Sequence, residues 1–79
     1  MEASVNQVSA DRKEATAITV MRSMLVSFAE EKKIPFEQAM LDFSTSRTYS
    51  DLFDLDTEIW KEGPAYLRDL YDEELNAHL

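Results

Sequence analysis

An all-α fold is predicted for this chain: a small helical bundle of one long N-terminal helix, two short helices and a C-terminal helix. Three observations predict it. One Gly and two Pro in 79 residues leave little material for tight turns. The Asn-Gly and Asp-Gly pairs that favour β-hairpins are absent. Apolar residues recur at three- and four-residue spacing, without strict two-residue alternation, and that is the helical period.

Residues 1–8 are polar and uncapped, so they are expected to be disordered, with a single helical domain over residues 9–79. Asp11 and Glu14 have the spacing of a capping box and should open the long helix. Its apolar stripe is Ala17, Ile18, Met21, Met24, Leu25 and Phe28, with Val20 and Val26 outside it. Lys32 and Lys33 suit the negative end of the helix dipole. A wide apolar surface on so long a helix points to contact with a second chain, hence a homodimer.

Pro35 stops the first helix or starts the second, because proline fits a first turn and disfavours helix before it. Phe36, Ala39, Met40 and Phe43 then share one face of a short helix. Ser44-Thr45-Ser46 breaks it and supplies a cap for another short helix, which starts at Arg47 and ends near Phe53. Tyr49, Leu52 and Phe53 should face the core. Residues 54–60 read as a loop, with Ile59 and Trp60 folding back as an anchor. Gly63-Pro64 opens the last helix, proline taking its first position. Tyr66 or Leu67, with Leu70, Tyr71 and Leu75, forms its apolar face. The expected core is Ile18, Met21, Leu25, Phe28, Phe36, Met40, Phe43, Tyr49, Leu52, Trp60, Leu67 and Leu70.

Composition bounds the function. There is no Cys, which excludes disulfides, thiol catalysis and thiolate zinc sites. The longest apolar-rich run, residues 15–29, is interrupted by Thr16, Thr19, Arg22, Ser23 and Ser27. It falls short of the ~20 apolar residues of a membrane span. The first residues lack the basic and apolar regions of a secretory signal, so the expectation is a cytoplasmic protein away from membranes.

Charge is unevenly placed. Residues 1–33 balance five basic against five acidic residues, whereas residues 34–79 set three basic against eleven acidic ones. The second half therefore carries the whole net charge of −8. Such a surface repels phosphate backbones, disfavours nucleic acid and attracts a basic protein. It also serves simply to keep a small protein soluble.

Motifs for chemistry are sparse. Asp54, Asp56 and Glu58 alternate like the start of an EF-hand loop, but Ile59 stands where Gly is needed and Ala65 where Glu is needed. His78 is the only His and has no Ser or Cys partner in a recognisable arrangement. One Gly cannot make a glycine-rich phosphate loop. Carboxylates abound, yet a small helical chain offers little room for an enclosed pocket that would tune them. No catalytic residue, cofactor or metal is predicted, and the chain is not expected to be an enzyme.

Two interaction readings remain. Residues 35–53 have the spacing of a helix-turn-helix, with Arg47, Thr48 and Ser50 opening the recognition helix. Asp51 and Asp54 oppose it electrostatically. A DNA-binding regulator is thus the alternative to a non-enzymatic protein–protein interaction module. For the module, Asp69, Tyr71, Asp72, Glu73 and Glu74 of the last helix are the candidate partner-binding residues. Asp72, Glu73 and Glu74 lie at the end of that helix where its dipole disfavours acids, which marks either a functional surface or a small tolerated cost. Tyr49, Trp60, Tyr66 and Tyr71 could form an aromatic hot spot, although a small domain also needs such rings in its core.

One stretch is more specific than a helix pattern requires. Phe43-Ser44-Thr45-Ser46-Arg47-Thr48-Tyr49, Leu52, Asp56-Thr57, Trp60, Glu62-Gly63-Pro64, Tyr66-Leu67 and Tyr71 with Glu73-Glu74-Leu75 follow one another in order. This pattern resembles a group of very short, uncharacterised bacterial proteins, over about residues 34–75. The resemblance implies a small helical protein without known activity. Some similar proteins belong to groups of small genes with a toxin–antitoxin character, which implies an acidic, antitoxin-like partner of a toxin. The chain departs from the pattern in its longer extension before Asp11.

Overall fold

The computed structural model describes the backbone of residues 2–77 and the side chains of residues 11–77. Of the segment expected to be disordered, residues 2–8 are described as helical backbone, while residue 1 and His78 lie outside the described residues. The chain is all-α, with no strand among the described residues. Four helices follow one another: α1 (Glu2–Lys32), α2 (Phe36–Ser44), α3 (Arg47–Phe53) and α4 (Pro64–Ala77). Because α1 begins at Glu2, Asp11 is a residue inside it and not its cap.

The end of α1 is set by backbone geometry at Lys33. Its φ of 59° is left-handed, and the Ile34 N–H reaches back to the Ala29 carbonyl at 3.0 Å. That bond is the signature of a Schellman stop, in which the residue after the left-handed one tucks its side chain back onto the helix. Ile34 does so, packing against the core. Pro35 then takes the N-cap position of α2, with extended φ and ψ of −62° and 147°. Proline therefore starts the second helix, and Lys33 stops the first.

One face of α1 is the floor of the core. Ala17, Val20, Met21, Met24, Leu25, Phe28 and Ala29 are all buried. Ala39 and Phe43 of α2, Leu52 of α3, and Leu67 and Tyr71 of α4 close over them. Two core expectations need correction. Ile18 is 38% exposed while Val20 is buried, so the stripe is rotated toward Val20. At about 100° per residue, Ile18 and Val20 lie on opposite edges of a face centred on Met21, Met24 and Leu25, so the elements packed on α1, and not the helical period, decide which edge is covered. Leu70 is only half-buried, because Leu67 and Tyr71 occupy the centre of the inward face of α4. Phe36, Met40, Tyr49 and Trp60 flank the core, partly buried.

Five aromatic rings form a continuous chain through the molecule. Phe28 meets Tyr71 at 5.3 Å, Tyr71 meets Phe43 edge-on at 4.9 Å, Phe43 meets Tyr49 at 5.9 Å, and Tyr49 meets Phe53 at 4.9 Å. Tilted and edge-on pairs at these distances suit the ring quadrupole. They link α1, α4, α2 and α3 in turn.

Residues 54–60 are more ordered than a loop. They form two 3-10 turns, Leu55–Thr57 and Ile59–Lys61, joined at Glu58 with a left-handed φ of 60°. The Thr57 hydroxyl contacts the carbonyls of Asp51 and Asp54 at 2.8 and 2.9 Å. The Trp60 indole N–H donates to the Leu55 carbonyl at 3.0 Å, so the ring packs back on its own turn and on the core. Lys13 of α1 stands 5.8 Å from that ring, tying the segment to α1.

Candidate interaction surface

The acidic residues of α4 divide into those with structural partners and those that face outward. Glu74 is the clearest of the first kind. Its carboxylate reaches the start of α3, accepting the Arg47 N–H at 2.9 Å, the Thr48 N–H at 2.8 Å and the Thr48 hydroxyl at 2.6 Å. The first four N–H groups of a helix have no partner within it. Here the Ser46 N–H meets the Phe43 carbonyl, Glu74 takes those of Arg47 and Thr48, and the Ser46 hydroxyl accepts that of Tyr49 at 3.0 Å. The cap of this seven-residue helix is thus shared between its own Ser46 and a residue of another helix. An acid at the unfavourable end of the α4 dipole is an acid at the favourable end of the α3 dipole.

Asp72 pairs with Arg68 one turn earlier, whose Nε donates to its two oxygens at 2.9 and 3.1 Å. The remaining Arg68 nitrogens form a fork on Glu31 of α1 at 2.9 and 3.1 Å. The guanidinium also lies 4.9 Å from the Phe28 ring centre. Hydrogen bonding and charge from Arg68 hold the Glu31 carboxyl below its ordinary range, and the two acids push the Arg68 pKa upward. This triad fastens α4 to α1.

Tyr71 is buried, in the ring chain described above. Burial first, then the negative charges of Asp42 and Glu74, raise its phenol above the ordinary tyrosine value. Asp69 and Glu73 are exposed. Of the five partner-binding candidates, these two face solvent outright, Asp72 shares its charge with Arg68, Glu74 caps α3, and Tyr71 packs inside.

Two grooves flank Glu74. One, of about 620 Å³, runs between α3 and α4 and is lined by Arg47, Thr48, Asp51, Leu70, Glu73, Glu74 and Ala77. The other, of about 460 Å³, lies where α1, α2 and α4 converge, among Phe28, Lys32, Ile34, Asp42, Tyr71 and Leu75. Thr48, expected at the front of a recognition helix, is buried and bonded to Glu74. Arg47 and Ser50 are exposed. In the loop resembling the start of an EF-hand, Asp54 accepts the Asp56 N–H at 3.3 Å and Glu58 pairs with Lys61 at 3.0 Å. Both acids have local uses.

Sequence reasoning missed the tie from Glu74 to Thr48 and the role of Arg68. The only signal for the former was the placement of acids against the α4 dipole. Aliphatic residues left on the surface are scattered: Ile18 and Val26 on α1, Leu41 on α2 and Leu75 on α4. No helix among the described residues is long and apolar enough to cross a membrane. No protein-family model matches the chain, and no curated protein or solved structure matches it either.

Proposed function

We propose that this chain is a non-enzymatic protein–protein interaction module whose acidic second half meets a basic protein partner. The observation that carries this is the division of the α4 acids. Asp69 and Glu73 have exposed side chains on a helix that Arg68 and Glu74 hold rigidly to the rest of the molecule. Charge on a fixed element costs less ordering on association than charge on a mobile tail. The resemblance to short bacterial proteins of toxin–antitoxin character makes an antitoxin-like role in the cytoplasm the specific form of this proposal.

A homodimer belongs to the same proposal. The α1 stripe is covered from within, so among the residues with described side chains Ile18 and Val26, either side of Arg22, are the α1 residues left to carry it. Light scattering on the chain and on Val26→Glu tests it: a dimer that the substitution dissociates supports the contact, and a monomer removes it.

The helix-turn-helix alternative draws less support. The first-turn donors of α3 are taken by a carboxylate, and Thr48 is buried. DNA phosphates would approach that same carboxylate.

Co-purification from the source cells, with Asp69→Lys/Glu73→Lys as the comparison, tests the module. Recovery of a basic protein by the native chain, and its loss from the charge-reversed one, is the expected result. Recovery of no partner, or of the same partner by both chains, would sink the proposal.

A further inference from the structure

The groove between α3 and α4 has an apolar floor as well as acidic banks. Leu70 is half-exposed in it, and Ala77 lies two turns further along α4. Tyr66, 44% exposed, stands one turn before Leu70, and the four-residue spacing puts it on the same side of the helix. An apolar strip that the core does not consume therefore runs along α4 beside the groove. Asp51 stands on the α3 bank and Glu73 on the α4 bank, both exposed. Arg47 is the one basic residue in the lining. An apolar strip between two acidic banks complements one kind of element: a helix with an apolar face and basic flanks.

We infer that this groove receives a basic amphipathic helix of a partner protein. An apolar side chain of that helix seats on Leu70 and Ala77, and its Lys or Arg residues reach Asp51 and Glu73. This docking mode rests on the acidic-module proposal and adds a place and a shape to it. The two turns from Leu70 to Ala77 rise about 10 Å, which matches two turns of the incoming helix. Arg47 opposes a basic occupant, and that gives the test a sign.

The probe is a synthetic helical peptide of Leu and Lys with all Leu on one face, set against a scrambled peptide of the same composition. Binding to the full chain is followed by fluorescence anisotropy, and each variant is checked by circular dichroism and urea melting. The amphipathic peptide is expected to bind roughly tenfold tighter than the scrambled one, because only it can place apolar area on the strip. Asp51→Lys and Glu73→Lys should each weaken it several-fold, and Arg47→Ala should tighten it. Glu37→Lys makes the same change in net charge as either reversal, on an exposed α2 residue that lines neither groove, and should have little effect. If one bank variant fails to fold, the other still reads the result. Equal weakening by Glu37→Lys, equal binding of the scrambled peptide, or weaker binding by Arg47→Ala each overturns the groove and leaves the acidic module standing. Absence of binding by both peptides also overturns the groove, while the module answers to its own co-purification.

Discussion

Glu74 accepts both the backbone N–H and the hydroxyl of Thr48, at 2.8 and 2.6 Å, across 26 residues of sequence. The contact joins the start of a short helix to the far end of the last one. A seven-residue helix is too short to hold itself in water, since nucleation is costly and few bonds follow it. Its order comes from Leu52 beneath it and from Glu74 at its head.

The strength of this tie is testable by a double-mutant cycle. Glu74→Ala leaves two N–H groups and a buried hydroxyl without their acceptor, and should cost about 2–3 kcal/mol. Thr48→Val keeps the buried volume and loses only the hydroxyl, at about 1–2 kcal/mol. The two share a bond, so the double variant should be less destabilised than the sum by about 1 kcal/mol. Urea denaturation of the four chains measures it, and strict additivity would remove the direct coupling.

Most of the fold was legible in the chain because its signals are local. Ser46 before Arg47, Pro64 after Gly63 and the apolar spacing from Phe36 to Phe43 each act within a turn or two, and the helices begin where those residues place them. The angle of the α1 stripe was read less well. Ile18 and Val20 are both apolar and both lie at an edge of the stripe, so only the elements packed on α1 decide which of them is covered. The Glu74 contact left no trace in the sequence beyond an acid set against the α4 dipole. A surface carboxylate has no periodicity, and its partner is fixed by how α3 and α4 cross. The same holds for Arg68, whose two acids come from its own helix and from α1.

The rotation of the α1 stripe makes a contrast between neighbouring residues. Leu25 is fully buried, so Leu25→Ala should cost about 2–5 kcal/mol in transfer and cavity terms. Ile18→Ala removes a similar side chain from an exposed position and should cost at most about 0.5 kcal/mol. Thermal melts of the two variants decide between this register and one centred on Ile18. A loss at Ile18 as large as that at Leu25 would mean that the buried face of α1 extends to Ile18.

Tyr71 makes stability fall in alkali. Its folded-state pKa lies above the ordinary value of 10.0, because burial and the charges of Asp42 and Glu74 disfavour the phenolate. Below pH 10 both folded and unfolded chains keep the proton, and the full stability is present. As pH rises past that value the unfolded chain releases its proton while the folded one holds it, so stability drains away until the folded pKa is passed. Tyr71→Phe keeps the ring contacts to Phe28 and Phe43 and should flatten that part of the curve. Urea midpoints between pH 9 and 11.5 on both chains provide the measurement. An unchanged slope in the variant would place the alkaline titration elsewhere.

The left-handed positions predict opposite signs at two sites. Lys33 holds a φ of 59° that carries a Cβ penalty, and it does so to stop α1. Lys33→Gly relieves that penalty in the folded state, while a glycine adds freedom to the unfolded chain. Relief of order 1–2 kcal/mol exceeds an entropic cost of about 0.5–1 kcal/mol, so the variant should be slightly more stable. Gly63 is the mirror case, with a φ of 89° just before α4 and open space around an added Cβ. Gly63→Ala therefore meets no clash, and its cost of about 1 kcal/mol comes from backbone strain alone. Paired urea melts should move in opposite directions. A stabilising Gly63→Ala would mean that the entry to α4 relaxes to negative φ, so that Pro64, already suited to a first turn, suffices to start the helix without its glycine.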